Sequence, residues 1–310
     1  MRSQPDLEHH AAGRRIAILG APSSIGIRPY DETNEPRRLD LAPEVLRELG
    51  LVALLAADDL GDVEPPPYRD RVRPVRGIRN EEGVAAYSRA LADRVAAALE
   101  GDRFVVVLGG DCSIVLGSLH GARRRPGGIG LVYVDGHADF ATPEESTTGS
   151  AASMCLALAV GRGDSPLARL DGDAPLVHGR DVVLIGRRDE GDPFDQDAIA
   201  VAGILDMPDS MLSATGAGAV TAAALERVGR AGFWIHVDAD VLDPRVMPAV
   251  DSPEPGGPDI DGLVSILAPI VAHPSALGMD LTIYDPLLDP ERGAGSELVA
   301  LLARILAPIL

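Results

Sequence analysis

Two short segments of the chain set acidic groups and imidazoles at alternating positions. Asp135-Gly-His137-Ala-Asp139 directly follows the apolar run 130–134, and Asp238-Ala-Asp240 closes the run 233–237, with Asp243-Pro244 after it. On extended backbone, residues i, i+2 and i+4 share a face. Each segment therefore brings carboxylates within a few ångströms of one another, and Asp135 and Asp139 flank His137. Carboxylates held that close repel and are costly to desolvate, a cost that a divalent cation removes. A third run, 104–108, ends in Gly109-Gly-Asp111-Cys112-Ser113. One Asp-x-His-x-Asp alone is a weak signal. Two acidic clusters after apolar strands predict a two-metal site that activates water. Asp111 and Asp243 read instead as turn or cap residues.

The elements that must position these groups are short β-branched runs at 15–20, 104–108, 130–134, 181–185, 233–237 and 281–284. Most are continuously apolar, as in strands buried on both faces. Segments of helical periodicity separate them, at 42–55, 81–99, 218–232, 261–271 and 297–310. Strand alternating with helix predicts an α/β fold, a three-layer α/β/α sandwich around a mostly parallel sheet. In such a sheet the chemistry belongs at the carboxyl ends of the strands. The polar residues 1–14 read as a flexible segment and 15–310 as one domain. The apolar tail 305–310 reads as exposed and compatible with a subunit interface.

The chain has 28 Lys and Arg against 47 Asp and Glu, a net charge of −19, which argues against a nucleic-acid partner. Its two cysteines cannot form a disulfide framework. It has no secretory leader pattern and no apolar run long enough to span a bilayer. These features predict a soluble, cytoplasmic protein without membrane contact.

In order and spacing, the three motifs resemble those of the ureohydrolases, the arginase and agmatinase family. That family carries Gly-Gly-Asp-His-Ser, Asp-Ala-His-x-Asp and Ser-x-Asp-x-Asp-x-x-Asp-Pro. This chain carries Gly109-Gly-Asp-Cys-Ser113, Asp135-Gly-His-Ala-Asp139 and His236-Val-Asp-Ala-Asp-Val-Leu-Asp-Pro244. The resemblance implies an arginase-like fold and two divalent ions, manganese in the family. Asp135 and Asp238 would bridge them. His137 and Asp240 would complete one shell, Asp139 and Cys112 the other. It further implies a bridging hydroxide that attacks the carbon of a small cationic guanidino, hydroxyguanidino or amidine substrate, in a homo-oligomer, trimer or hexamer.

Four departures shape the expectation. Cys112 stands where the family has histidine, so its ion is expected to be weaker or of another kind. Ala152 stands where arginases place a proton-shuttling histidine. Asp139 and His236 are then the candidate catalytic groups, with His236 facing the same way as Asp238, against a plainer reading of it as a buried neighbour of the ligands. Ala141, Thr148 and Ser150 occupy the places that hold the amino-acid end of arginine, so Thr148 and Ser150 are candidate substrate contacts. Asp280 corresponds to the family's guanidinium-binding glutamate. The run Arg187, Arg188, Asp189, Glu190 and Asp192 reads as a solvated charge cluster. Cys112, Asp135-Gly-His137, the Thr142-Pro-Glu loop and Trp234-Ile-His236 also resemble a branch that hydrolyses N-hydroxyarginine. The alternative reading is a catalytically silent family member that binds a ligand or partner.

Overall fold

The computed structural model describes residues 13–72, 74, 77–172, 174–189 and 197–310. Residues 1–12, Glu190 and Asp192 lie outside the described residues. Among the described residues eight strands form one sheet: β1 (Arg15–Ala21), β2 (Asp58–Asp62), β3 (Arg103–Gly109), β4 (Ile129–Val134), β5 (Val182–Ile185), β6 (Leu205–Met207), β7 (Gly232–Asp238) and β8 (Ala276–Thr282). Their spatial order is β2-β1-β3-β8-β7-β4-β5-β6. Every pair is parallel, so the sheet is wholly rather than mostly so. The chain moves one way from β1 to β2 and the other way from β2 to β3. Right-handed crossovers then place Ala42–Glu48 and Glu81–Leu99 on opposite faces, giving the three layers.

Val, Ile and Leu fill both faces of the central strands, and every side chain of β4 is buried. The edges differ. β2 reads Asp-Asp-Leu-Gly-Asp and β6 has three residues, and neither shows in the apolar pattern because an edge strand buries little. The helix expected over 42–55 divides at Gly50, whose φ of 89° ends one turn and starts the next segment, Leu51–Leu54. Helix Ile114–Ala122 shows no amphipathic pattern because it is wholly buried, Ser118 and His120 included. It lies so close to Glu81–Leu99 that a Cβ on Gly121 would come within 2.6 Å of the Ala92 carbonyl oxygen.

The tail expected to be exposed is instead packed: Ile305, Leu306 and Ile309 are buried and Leu310 is open. Arg14 joins it there, its N–H donating to the Ile309 carbonyl at 2.8 Å. Among the described residues no helix is long and apolar enough to cross a membrane.

β3 and β4 follow each other in the chain, yet β8 and β7 lie between them. The carboxyl ends of these four central strands therefore stand side by side, where the departing loops leave a crevice.

Candidate metal centre

Strand register sets the floor of the crevice. Tyr133 on β4 pairs with His236 on β7, and His236 pairs with Asp280 on β8. Two positions further along, Asp238 pairs with Thr282. Alternation puts Trp234, His236 and Asp238 on one face of β7. Asp135 continues from β4, with its N–H donating to the Ile185 carbonyl. Cys112 arrives from the turn after β3. That turn is pinned by the buried Asp111, whose carboxylate accepts from Ser23 Oγ and Gly26 N at 3.1 Å and from Ser113 N at 3.0 Å. As read from sequence, Asp111 serves the turn. Asp243 likewise accepts from Arg245.

Two groups of ligand-type atoms result. Cys112, Asp135, His236 and Asp238 offer one atom each within 4.8 Å of one another, and so do Asp135, His137 and Asp240. Asp135 belongs to both. Its Oδ1 accepts from His137 N at 2.7 Å, while its buried Oδ2 and the buried Nε2 of His236 have no hydrogen-bond partner among the described residues. A buried polar atom left unpaired costs about 1–3 kcal/mol. A cation would satisfy both atoms, so the donor set fits divalent metal ions.

The electrostatics agree. Burial raises the Asp135 carboxyl, helped by Asp240, and pushes Asp238 well above the usual range, helped by Asp240 and Asp135. Burial also raises the Cys112 thiol, with Cys155 and Asp238 adding to it. That thiol donates to Asp238 Oδ2 at 2.8 Å. For His137, burial acts downward, but Asp240 and Asp135 outweigh it and hold the imidazole well above its ordinary value. Its Nδ1 lies 2.9 Å from Asp240 Oδ2. Crowded negative charge makes this a place for added positive charge.

Several expected roles change. Asp139, expected beside Cys112, stands in neither group. Its Oδ2 accepts from the Tyr133 hydroxyl at 2.6 Å and from Cys155 Sγ at 3.2 Å. Tyr133 is fully buried and its hydroxyl needs an acceptor, which is why Asp139 turns toward it. Burial, with Cys155 and Asp135 nearby, raises Asp139 well above the carboxylate range. His236, a candidate acid from sequence, is 0% exposed and its Nδ1 bonds Asp280 Oδ1, so it does not face the crevice. Asp280, the expected guanidinium contact, is also 0% exposed. Asp280 is not part of the cleft wall, and its other oxygen accepts from Trp234 Nε1 at 2.6 Å. Gly278 makes this possible, since a Cβ there would lie 2.6 Å from the Trp234 ring.

Above the metal-ligand groups lies a cleft of about 390 Å³ lined by Cys112, His137, Asp139, Asp238 and Asp240. Thr148, Ser150, Ala141 and Ala152 form part of its wall, and β8 contributes Ile283 rather than Asp280. Ser150 Oγ accepts from Arg28 N at 2.9 Å, and Thr148 Oγ1 accepts from Ser150 N at 3.1 Å. On the acidic side, Glu145 pairs with Arg162 and Asp251 with Arg37.

The described part of the charge run after β5, Arg187, Arg188 and Asp189, is structural rather than solvated. Arg187 binds Asp206, Asp189 accepts from Ala138 N, and Arg188 donates to the Asp240 carbonyl at 2.7 Å. Sequence reading missed Tyr133, Trp234 and Cys155. The first two sit two residues before Asp135 and His236, where alternation alone marks them. Cys155 carries no such signal.

Comparison with known proteins agrees with this geometry. The model of the arginase family matches residues 14–307. The arginase of Bacillus subtilis is 29% identical over 303 residues, covering 94% of this chain and 98% of the relative. Arginase-1 of Homo sapiens is 31% identical over 258 residues, covering 80% and 77%. The crystal structure of arginase from Bacillus caldovelox superposes with a TM-score of 0.84 at 27% identity, covering 94% of this chain and 98% of the other.

Proposed function

The chain belongs to the arginase family, and on that premise we propose that it hydrolyses a C–N bond of a small guanidino or hydroxyguanidino compound. The observation that carries this reading is the pair of metal-ligand groups sharing Asp135 beneath an acidic cleft. Asp135, His137 and Asp240, an oxygen-rich set, suit manganese. The other ion falls to the group around Cys112 and Asp238. Divalent cations held there would neutralise the carboxylates and lower the pKa of a water enough to supply a nucleophile near neutral pH.

The rest is done by side chains. Glu254 on the cleft wall, with a chain net charge of −19, gives a negative field that draws in a cationic substrate. Asp139 lines the cleft, and burial pushes its carboxyl well above the usual carboxylate range. It is therefore the group suited to give the leaving amine its proton, a role that Ala152 cannot fill. Thr148 and Ser150 offer hydroxyls to the far end of the substrate. Ala152, small where arginases carry histidine, and Ile283 leave room in the wall, which suits a bulkier reacting end than that of plain arginine. That wall and Cys112 support a hydroxyguanidino substrate, as in the N-hydroxyarginine branch. A silent relative would have no need of two intact ligand groups. The same reading includes a cytoplasmic homo-oligomer, trimer or hexamer.

The test is a panel of guanidino, hydroxyguanidino and amidine compounds, assayed for urea, hydroxyurea or ammonia with manganese, cobalt or zinc supplied. Turnover of a hydroxyguanidino compound above arginine is expected. Silence from metal-loaded protein across the panel contradicts the reading.

A further inference from the structure

Resting on that reading of a two-metal centre, we infer that His236 is a direct ligand of the ion on the Cys112 side, and that this position selects zinc-type cations over manganese. Four observations converge on it. His236 is fully buried, and its Nε2 has no partner among the described residues. It shares a 4.8 Å cluster with Cys112, Asp135 and Asp238. Its Nδ1 is engaged by Asp280, and Tyr133 stacks on its ring with centroids 4.3 Å apart. Asp139, which sequence placed in this shell, is occupied by Tyr133 and Cys155.

Metal-binding histidines commonly hold the second ring nitrogen against a carboxylate, which fixes the tautomer and raises the basicity of the first. Asp280 is placed to do this. Trp234 fixes Asp280 in turn through its other oxygen. Asp280 is thus a positioning residue for the metal rather than a contact for the substrate.

The donor set explains the selectivity. One sulfur, one imidazole nitrogen and two carboxylate oxygens make a four-membered shell of the kind zinc prefers. A thiolate favours zinc over manganese, and the general order of divalent affinities points the same way. Cys112 would release its proton on binding, since a coordinating thiol is deprotonated. Asp135, His137 and Asp240 contain no sulfur and keep the preference of a harder site. The centre is then mixed, one soft and one hard position bridged by Asp135.

Chelator-stripped protein is reloaded with one equivalent of zinc per chain and a large excess of manganese, and its metal content is measured. The wild type is expected to take one zinc and one manganese per chain. His236→Gln is expected to lose the zinc while keeping the manganese, and Asp280→Asn to weaken zinc affinity by about 10–100-fold. Circular dichroism checks that each variant is folded. X-ray absorption at the zinc edge of wild-type protein carrying one zinc per chain needs no variant. One sulfur and an imidazole around that zinc are expected, and the sulfur signal should vanish in Cys112→Ser. Folded His236→Gln that binds zinc as tightly as wild type, or a wild-type zinc without sulfur, overturns the inference and leaves the two-metal reading intact. Wild-type protein that takes up no ion overturns the two-metal reading itself.

Discussion

His236 and Asp280 face each other across β7 and β8 and share a hydrogen bond sealed from solvent. Asp280 also receives the Trp234 N–H, so one carboxylate holds two neighbours from the same strand. The pair lies two register positions below Asp238 and Thr282, which makes it the floor on which the candidate ligands stand. Replacing Asp280 by Leu would strand two buried polar groups. We expect it to lower stability by about 2–5 kcal/mol, read by denaturant unfolding of chelator-treated protein. A loss below about 1 kcal/mol would show that these bonds contribute little.

Asp135 is common to both ligand groups, whereas Asp240 belongs to one. Asp135→Ala is therefore expected to abolish binding of both ions, and Asp240→Ala to remove one. Metal content after gel filtration checks the difference. Equal losses from the two variants would contradict the sharing of Asp135.

The Tyr133 hydroxyl lowers the Asp139 carboxyl, opposing the burial that raises it. In Tyr133→Phe that restraint is gone and Asp139 should hold its proton to higher pH. If Asp139 serves as the acid, the alkaline limb of the kcat/KM profile moves upward. An unmoved limb would remove Asp139 from that role.

Protonation and metal binding oppose each other here. Asp135 and Asp238 are raised from 3.8 and His137 from 6.5. The folded chain without metal thus binds more protons at these groups than the unfolded chain does. Their contribution to stability is complete below the unfolded values and declines as pH rises through the folded ones. Cations replace those protons most easily at high pH. The rise in Tm on adding metal should therefore be larger at about pH 8.5 than at about pH 6. Thermal unfolding with and without metal at both values checks the sign.

Much of this was legible in the sequence because it depends on strand alternation and on the order of apolar runs. Asp135, His137, Asp238 and Asp240 are placed by local rules and by the single edge to which parallel strands deliver their ends. What was not legible depends on register between distant strands. Nothing in Gly278-Met-Asp280 says that Asp280 lies opposite His236 and not in the cleft. Asp139 follows its partner Tyr133 by six residues, but the turn that brings them together needs a positive φ of 48° at Asp139 itself, which motif spacing does not encode. The short polar strand β2 escaped for another reason, since a strand that buries little leaves no apolar trace.

The central claim is that Cys112, Asp135, His236 and Asp238, together with His137 and Asp240, hold two cations in each chain. Mass-spectrometric metal analysis of protein reloaded and freed of excess ion tests it most directly. Two ions per chain are predicted, falling to none in Asp135→Ala. A wild-type chain that retains no ion would contradict the account.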